Sequence, residues 1–134
     1  MKLIYKILIV HFFIIFFIGN ISPSLPSDMI ENLMWGRSLG FTSDKHPPFF
    51  GWQSYITVKL FAGNLVFYHI LTPLNQIIFL FFLYLLAKEI LKDEKKAIAC
   101  VVLLQSVAFH SFYYKFNANT ANLAFFGAIY YVFY

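Results

Sequence analysis

The sequence predicts an all-α integral membrane protein with a bundle of about four transmembrane helices. Of its 134 residues, 60% are hydrophobic and only 12% are charged, whereas soluble domains are about half apolar and about a quarter charged. A soluble domain of this length buries only part of its surface, so its interior would be too small for that much apolar side chain. The apolar residues also form long runs, and lysines cluster in the short segments between them.

Four apolar segments are predicted as spans, at residues 3–21, 68–87, 97–114 and 123–134. As a helix, the first would cover about 28 Å, close to the hydrocarbon thickness of a bilayer. A signal peptide is the competing interpretation, because Lys2 precedes this run, but the run is long for one and further spans follow. The fourth segment is truncated after 12 residues. We therefore expect the chain to be the N-terminal part of a longer protein.

The lysines predict the orientation in the cytoplasmic membrane. Residues 88–96 contain four lysines, and Lys2 and Lys6 flank the start of the first span. Positively charged residues next to spans tend to remain in the cytoplasm. The N-terminus and the 88–96 loop are therefore predicted to be cytoplasmic, which puts the loops at residues 22–66 and 115–122 on the outer face.

The first outer loop contains two acidic residues, Asp28 and Glu31, at a helical spacing of three. On a helix this spacing puts both carboxylates on one face, and the apolar residues around them suit a juxtamembrane helix lying on the membrane. From spacing alone, the simpler interpretation is a capping box, with Asp28 as N-cap and Glu31 at the third helical position. A pair of reacting carboxylates is the alternative.

Further along this loop, the stretch SDKHPPFFGWQ (residues 43–53) combines charge, proline and aromatic residues. The two prolines fix their own φ and favour an extended conformation at His46. One interpretation is a helix that starts after the prolines and is anchored by Trp52 at the membrane interface. The other is a site where Lys45 and His46 bind an anionic lipid headgroup such as a phosphate.

Some classes of partner are not expected. The chain has one cysteine and no Cys/His cluster with metal-ligand spacing, so we expect neither a metal nor a cofactor. The net charge of +4 is spread over the loops, without the basic stripe that nucleic-acid binding requires. The lipid bilayer is the expected environment.

Three stretches in this order, DMIENLMWGRSLGF, KHPPFFGW and KFNANT, resemble the start of the PMT-like membrane glycosyltransferases. These are glycosyltransferase family 39 and its bacterial relatives, including protein O-mannosyltransferases and lipid A aminoarabinose transferases. The resemblance implies a GT-C-like helical bundle. It also implies transfer of a sugar from a polyprenyl-phosphate donor to a lipid, glycan or protein acceptor on the outer face. A fragment of such an enzyme is expected to be inactive alone.

The resemblance further implies roles for two acidic residues. Asp28 corresponds to the first-loop residue that acts as catalytic base on the acceptor, and Glu31 to its acidic companion. Many relatives have an adjacent Asp-Glu pair, whereas here two residues separate them. Which carboxylate is the base is therefore left open.

Four other residues are implied to bind the donor phosphate or the substrate. His46, with its neighbour Lys45, falls where the family has a His or Lys before two prolines, near the donor phosphate. Lys115 and Asn117 match a later polar element on the outer face that faces the same cavity. A cation near the leaving phosphate would stabilise its developing charge.

Two other function classes are compatible with the sequence. In a small non-catalytic membrane scaffold or assembly subunit, the acidic pair would only cap a helix and the prolines would only shape a loop. A transporter would place polar residues near the membrane midplane. The candidates for that are few, and we expect each to be satisfied between helices or near an interface: His11, His69, Gln105 and His110.

Overall fold

The computed structural model describes residues 2–22, 24–40, 48–107 and 114–134, and these ranges contain helices and turns but no strand. The predicted all-α class is therefore confirmed. In chain order the helices are α1 (Lys2–Ile21), α2 (Ser27–Trp35), α3 (Phe49–Leu60), α4 (Leu65–Tyr68), α5 (Leu71–Leu91), α6 (Glu94–Val107) and α7 (Ala118–Val132).

Two helical segments are long and apolar enough to cross a membrane, Lys2–Ile21 and Leu65–Leu91. They overlap the first two predicted spans, and the second combines α4 with α5. The described α6 and α7 contain only 14 and 15 residues, so the predicted total of about four spans is not confirmed by helix length.

Helix α5 is the centre of the fold, since α1, α6 and α7 all pack against it. The contact between α5 and α7 is especially close at Gly127. A Cβ added there would lie 3.0 Å from both the Cα and the carbonyl oxygen of Phe79. Because backbone atoms cannot move aside as a flexible side chain can, this crossing requires a residue without a side chain.

Polar side chains pair with one another across the helix contacts. His11 Nε2 on α1 lies 3.1 Å from Gln76 Oε1 on α5. The amides of Gln53 on α3 and Asn75 on α5 exchange two hydrogen bonds of 2.9 and 3.0 Å. For His11 the structure confirms the expectation that intramembrane polar groups are satisfied between helices.

The other three candidate intramembrane polar residues, His69, Gln105 and His110, do not show the same pairing in the described part of the chain. His69 packs against Gly19, and its Nδ1 has no hydrogen-bond partner in the described part of the chain, so the expectation is wrong for that atom. Gln105 lines a cavity with Lys6 and His11. His110 lies outside the described residues.

The predicted first outer loop contains two helices. Helix α2 confirms the helix expected there, and α3 begins at Phe49 directly after Pro48, as the helix-start interpretation of this stretch predicted. A hydrophobic core joins both helices to the residues at the starts of α5 and α7, and it is formed by Met29, Phe50, Tyr68, Leu71, Phe116 and Ala121. This core fixes α2 beside the beginning of α7.

Candidate active site

The acidic pair lies on α2, but not as a helix cap. Helix α2 begins at Ser27, its N-cap is Pro26, and no side chain caps it. The capping-box interpretation is therefore wrong. The helix starts one residue before Asp28, and a proline has no backbone N–H that Glu31 could bind. Asp28 lies instead in the first helical turn, where its exposed carboxylate faces the partial positive charge of the helix end.

A cavity of about 170 Å³ separates α2 from the start of α7. Asp28 and Glu31 both line it, which confirms that their spacing puts them on one helix face. The segment KFNANT supplies the opposite wall, although it lies more than eighty residues further along the chain. The described lining consists of Asp28, Glu31, Asn32, Phe50, Asn117, Ala118 and Asn119.

Asn117 is held at the cavity because it is the N-cap of α7. Its Oδ1 accepts a hydrogen bond of 3.0 Å from the backbone N–H of Thr120. Thr120 Oγ1 in turn accepts one of 2.8 Å from the backbone N–H of Asn117. This reciprocal capping box satisfies two N–H groups at the helix start. The cap uses the Oδ1 of Asn117, which leaves the Nδ2 donors of the same amide for other partners.

Asn32 is a cavity residue that the sequence analysis did not single out. It is only 1% exposed, and its Oδ1 accepts a hydrogen bond of 2.9 Å from Ser54 Oγ on α3. Ser54 Oγ is also 2.7 Å from the hydroxyl of Tyr68. Its spacing of four from Asp28 was the available signal, since residues four apart share a helix face.

The amide nitrogen of Asn32 has a different environment from its oxygen. Nδ2 is buried, and no hydrogen-bond partner for it exists within the described ranges. Leaving a buried donor unpaired costs about 1–3 kcal/mol. Most such groups in native proteins are paired with protein or water. The site therefore contains a fixed donor for which the described protein supplies no acceptor.

The remaining predicted site residues fall into two groups. Lys115 lies two residues before the α7 cap, and its backbone carbonyl accepts a hydrogen bond of 3.3 Å from Thr120 Oγ1. Its side chain is not part of the described cavity lining. Lys45 and His46 lie outside the described residues. The structure thus brings Asp28, Glu31 and Asn117 together.

The site's chemistry is that of carboxylates and amides. Within the described ranges, no group of three or more His, Cys, Asp or Glu side chains is placed to hold a metal ion. A carboxylate can accept a proton from a bound hydroxyl, provided that the two groups reach hydrogen-bond distance. The amides of Asn32, Asn117 and Asn119 can donate hydrogen bonds to oxygen atoms of the same ligand.

Comparison with known proteins identifies the family. Residues 45–134 match the family described as dolichyl-phosphate-mannose-protein mannosyltransferase, which is most of the chain. The chain belongs to this family. The resemblance to PMT-like glycosyltransferases is thereby confirmed. The family and the two apolar helices together indicate a membrane protein.

The matched range covers only part of the candidate site. It includes the four residues expected to bind donor phosphate or substrate, Lys45, His46, Lys115 and Asn117. It begins after Asp28 and Glu31, and the cavity links this acidic pair to the matched region. No curated protein and no solved structure matches the chain.

Proposed function

We propose that the protein transfers a sugar from a polyprenyl-phosphate donor to an acceptor hydroxyl of a lipid, glycan or protein. One observation carries the proposal. In a chain of the mannosyltransferase family, Asp28, Glu31 and Asn117 line a single cavity although they are far apart in sequence. The cavity holds the acceptor hydroxyl beside the carboxylates.

Asp28 is the proposed catalytic base. Its carboxylate accepts the proton of the acceptor hydroxyl as that oxygen bonds to C1 of the sugar. The bond between C1 and the donor phosphate breaks in the same step, and the phosphate leaves with the electron pair. Asp28 is preferred to Glu31 because its carboxylate is exposed at the cavity, whereas Glu31 is half-buried. A positioned base contributes about 10²–10⁴-fold to such a rate.

Stabilisation of the leaving phosphate is assigned to the three cationic candidates, Lys45, His46 and Lys115. By resemblance to the family, Lys45 and His46 bind the phosphate. Lys115, two residues before the N-cap of α7, is the third cation proposed to bind it. Fixed cations stabilise charge that develops on a leaving group. On this proposal, these three side chains bind the donor phosphate.

The proposal includes a location, the outer face of the cytoplasmic membrane, in a multi-pass GT-C-like bundle with a cytoplasmic N-terminus. The distribution of charge along α5 supports it. Leu71 at the start of this helix belongs to the core beside the cavity, whereas Lys88 and Lys92 mark its end. The helix has 21 residues, or about 31 Å, so the cavity and the lysine-rich turn are one membrane thickness apart. Beyond the two helices long enough to span a membrane, the further spans of this bundle would include α6 and α7.

A sugar-transfer assay tests this function. The protein, expressed from its complete coding sequence, is reconstituted in vesicles with polyprenyl-phosphate sugars, including dolichyl phosphate mannose. Asp28→Asn keeps the size of the side chain but removes the base. We expect transfer to fall about 10²–10⁴-fold, with membrane insertion unchanged.

Asp93→Asn is the matched control for this assay. Asp93 accepts hydrogen bonds from the backbone N–H groups of Lys95 and Lys96 at the start of α6, at the other end of α5. Asn keeps an acceptor oxygen for these N–H groups, so this variant should keep the helix cap and leave transfer unchanged. A normal rate in Asp28→Asn would refute the base assignment. Absence of transfer by the native protein from every lipid-linked donor would refute the function.

A further inference from the structure

We propose that Asn32 binds the substrate, its Nδ2 donating a hydrogen bond to a neutral, hydroxyl-bearing ligand in the α2–α7 cavity. The assignment to the acceptor side of the reaction rests on the proposed function. The binding of a hydroxyl group at this place rests on the geometry of the cavity.

The first support is the unpaired donor. Asn32 is 1% exposed and lines the cavity, and its Nδ2 has no partner among the described residues. The nitrogen atom itself is buried. A ligand oxygen in the cavity supplies the acceptor that the described protein does not.

The second support is the way the amide is held. Ser54 donates to the Oδ1 of Asn32 over 2.9 Å, and Ser54 is itself completely buried. Tyr68, 1% exposed, holds Ser54 through the 2.7 Å contact between their hydroxyl oxygens. The amide oxygen is thereby fixed, and with it the direction of the N–H bonds. Such support is typical of residues that must present one group in one orientation.

The third support is the charge of the cavity, which selects the ligand class. Asp28 and Glu31 contribute two negative charges, and the described lining contains no cation. Carboxylates in the lining disfavour an anionic ligand such as a phosphate. A neutral hydroxyl can donate to a carboxylate and accept from an amide at once.

Binding experiments with the detergent-purified complete protein test the inference without requiring turnover. The probes are methyl α-mannoside, as a neutral hydroxyl ligand, and inorganic phosphate. We expect the native protein to bind the mannoside, and equal concentrations of phosphate not to displace it. Asn32→Leu keeps the volume but removes the donor, and Asn32→Asp keeps the acceptor for Ser54. Both should weaken mannoside binding about fivefold to tenfold.

Asn75→Leu is the matched control. Asn75 is also a helical asparagine with 1% exposure, but its amide is paired with Gln53 and the cavity does not include it. This variant should melt at a lower temperature and bind the mannoside as the native protein does. Equal losses in the Asn75 and Asn32 variants would indicate a general structural effect and overturn the inference.

Three further outcomes would also count against the inference. Unchanged binding in folded Asn32 variants, no mannoside binding by the native protein, or displacement by phosphate would each overturn it. The phosphate competition needs no variant, so misfolding of both Asn32 variants does not protect the inference. Native transfer activity with Asn32-independent binding would refute the inference alone. Asn32-dependent binding without transfer would refute the proposed reaction alone.

Discussion

Two regions of this molecule contain buried polar side chains, and they use them differently. Between α1, α3 and α5, two pairs of side chains bond to each other, His11 with Gln76 and Gln53 with Asn75. Between α2 and α7, two carboxylates and the unpaired nitrogen of Asn32 surround a cavity. In the sequence, both regions consist of polar residues within apolar segments, so the sequence alone does not distinguish them.

An unpaired donor indicates a ligand site only where it also belongs to a cavity lining, since His69 Nδ1 and the Tyr84 hydroxyl are likewise buried without a partner in the described part of the chain. A paired amide between helices adds about 0.6 kcal/mol to their association, and at most about 1.7 kcal/mol. An unpaired donor at a cavity costs free energy until a ligand satisfies it. Substitutions in the first region should therefore change stability, and those in the second should change binding and transfer.

The largest effect on stability is expected at Gly127, on which the position of α7 depends. Gly127→Leu places side-chain atoms against the backbone of Phe79, 3.0 Å from the Cβ position, and should destabilise the protein by about 3 kcal/mol. Because Asn117 caps the start of α7, the cavity should be lost as well. Thermal melting in detergent measures the first effect, and mannoside binding the second.

Phe126→Leu is the control for Gly127, because Phe126 is exposed on the same helix. It should leave both measurements close to native values. If Gly127→Leu melted and bound like the native protein, the close packing of α5 on α7 would not be what forms the cavity.

A smaller effect is expected at Ser54, which orients Asn32 without lining the cavity. Ser54→Ala leaves the Tyr68 hydroxyl and the Asn32 oxygen buried without this partner, so we expect a loss of about 1–2 kcal/mol in stability. As a positioning residue, it should raise the KM for the acceptor more than it lowers kcat. A fall in kcat at constant KM would contradict this role.

The smallest effect is expected in the paired region. A double-mutant cycle with His11→Leu and Gln76→Leu should give a coupling free energy of about 0.6 kcal/mol in thermal unfolding. Sugar transfer should be unaffected, because neither residue contacts the cavity. Loss of transfer in either single variant, without loss of stability, would mean that this region too takes part in function.

Much of the fold followed from the sequence because the responsible signals are local. The apolar runs predicted α1 and α5, and the acidic spacing predicted that Asp28 and Glu31 share a helix face. The capping-box interpretation was wrong because the N-cap of α2 is Pro26, two residues before Asp28. The capping box occurs instead at Asn117 and Thr120, where the residues Asn-x-x-Thr were available as a signal.

Other parts of the site depend on tertiary contacts that no local pattern specifies. The sequence did not reveal that Ser54 and Tyr68 converge on Asn32, because these residues come from three different helices. Nor did it reveal that the amide nitrogen of Asn32 is buried without a partner. The family resemblance supplied the proximity of KFNANT to the acidic pair, and the cavity geometry agrees with it.

The most direct test of the difference between the two regions is the initial rate of sugar transfer by Asp28→Asn and Gln76→Leu in one vesicle preparation. Both substitutions alter a polar residue on a helix, but only Asp28 lines the cavity. We predict a fall of about 10²–10⁴-fold for Asp28→Asn and a rate close to native for Gln76→Leu. Equal reductions in both, or a native rate in Asp28→Asn, would contradict the assignment of the α2–α7 cavity as the active site.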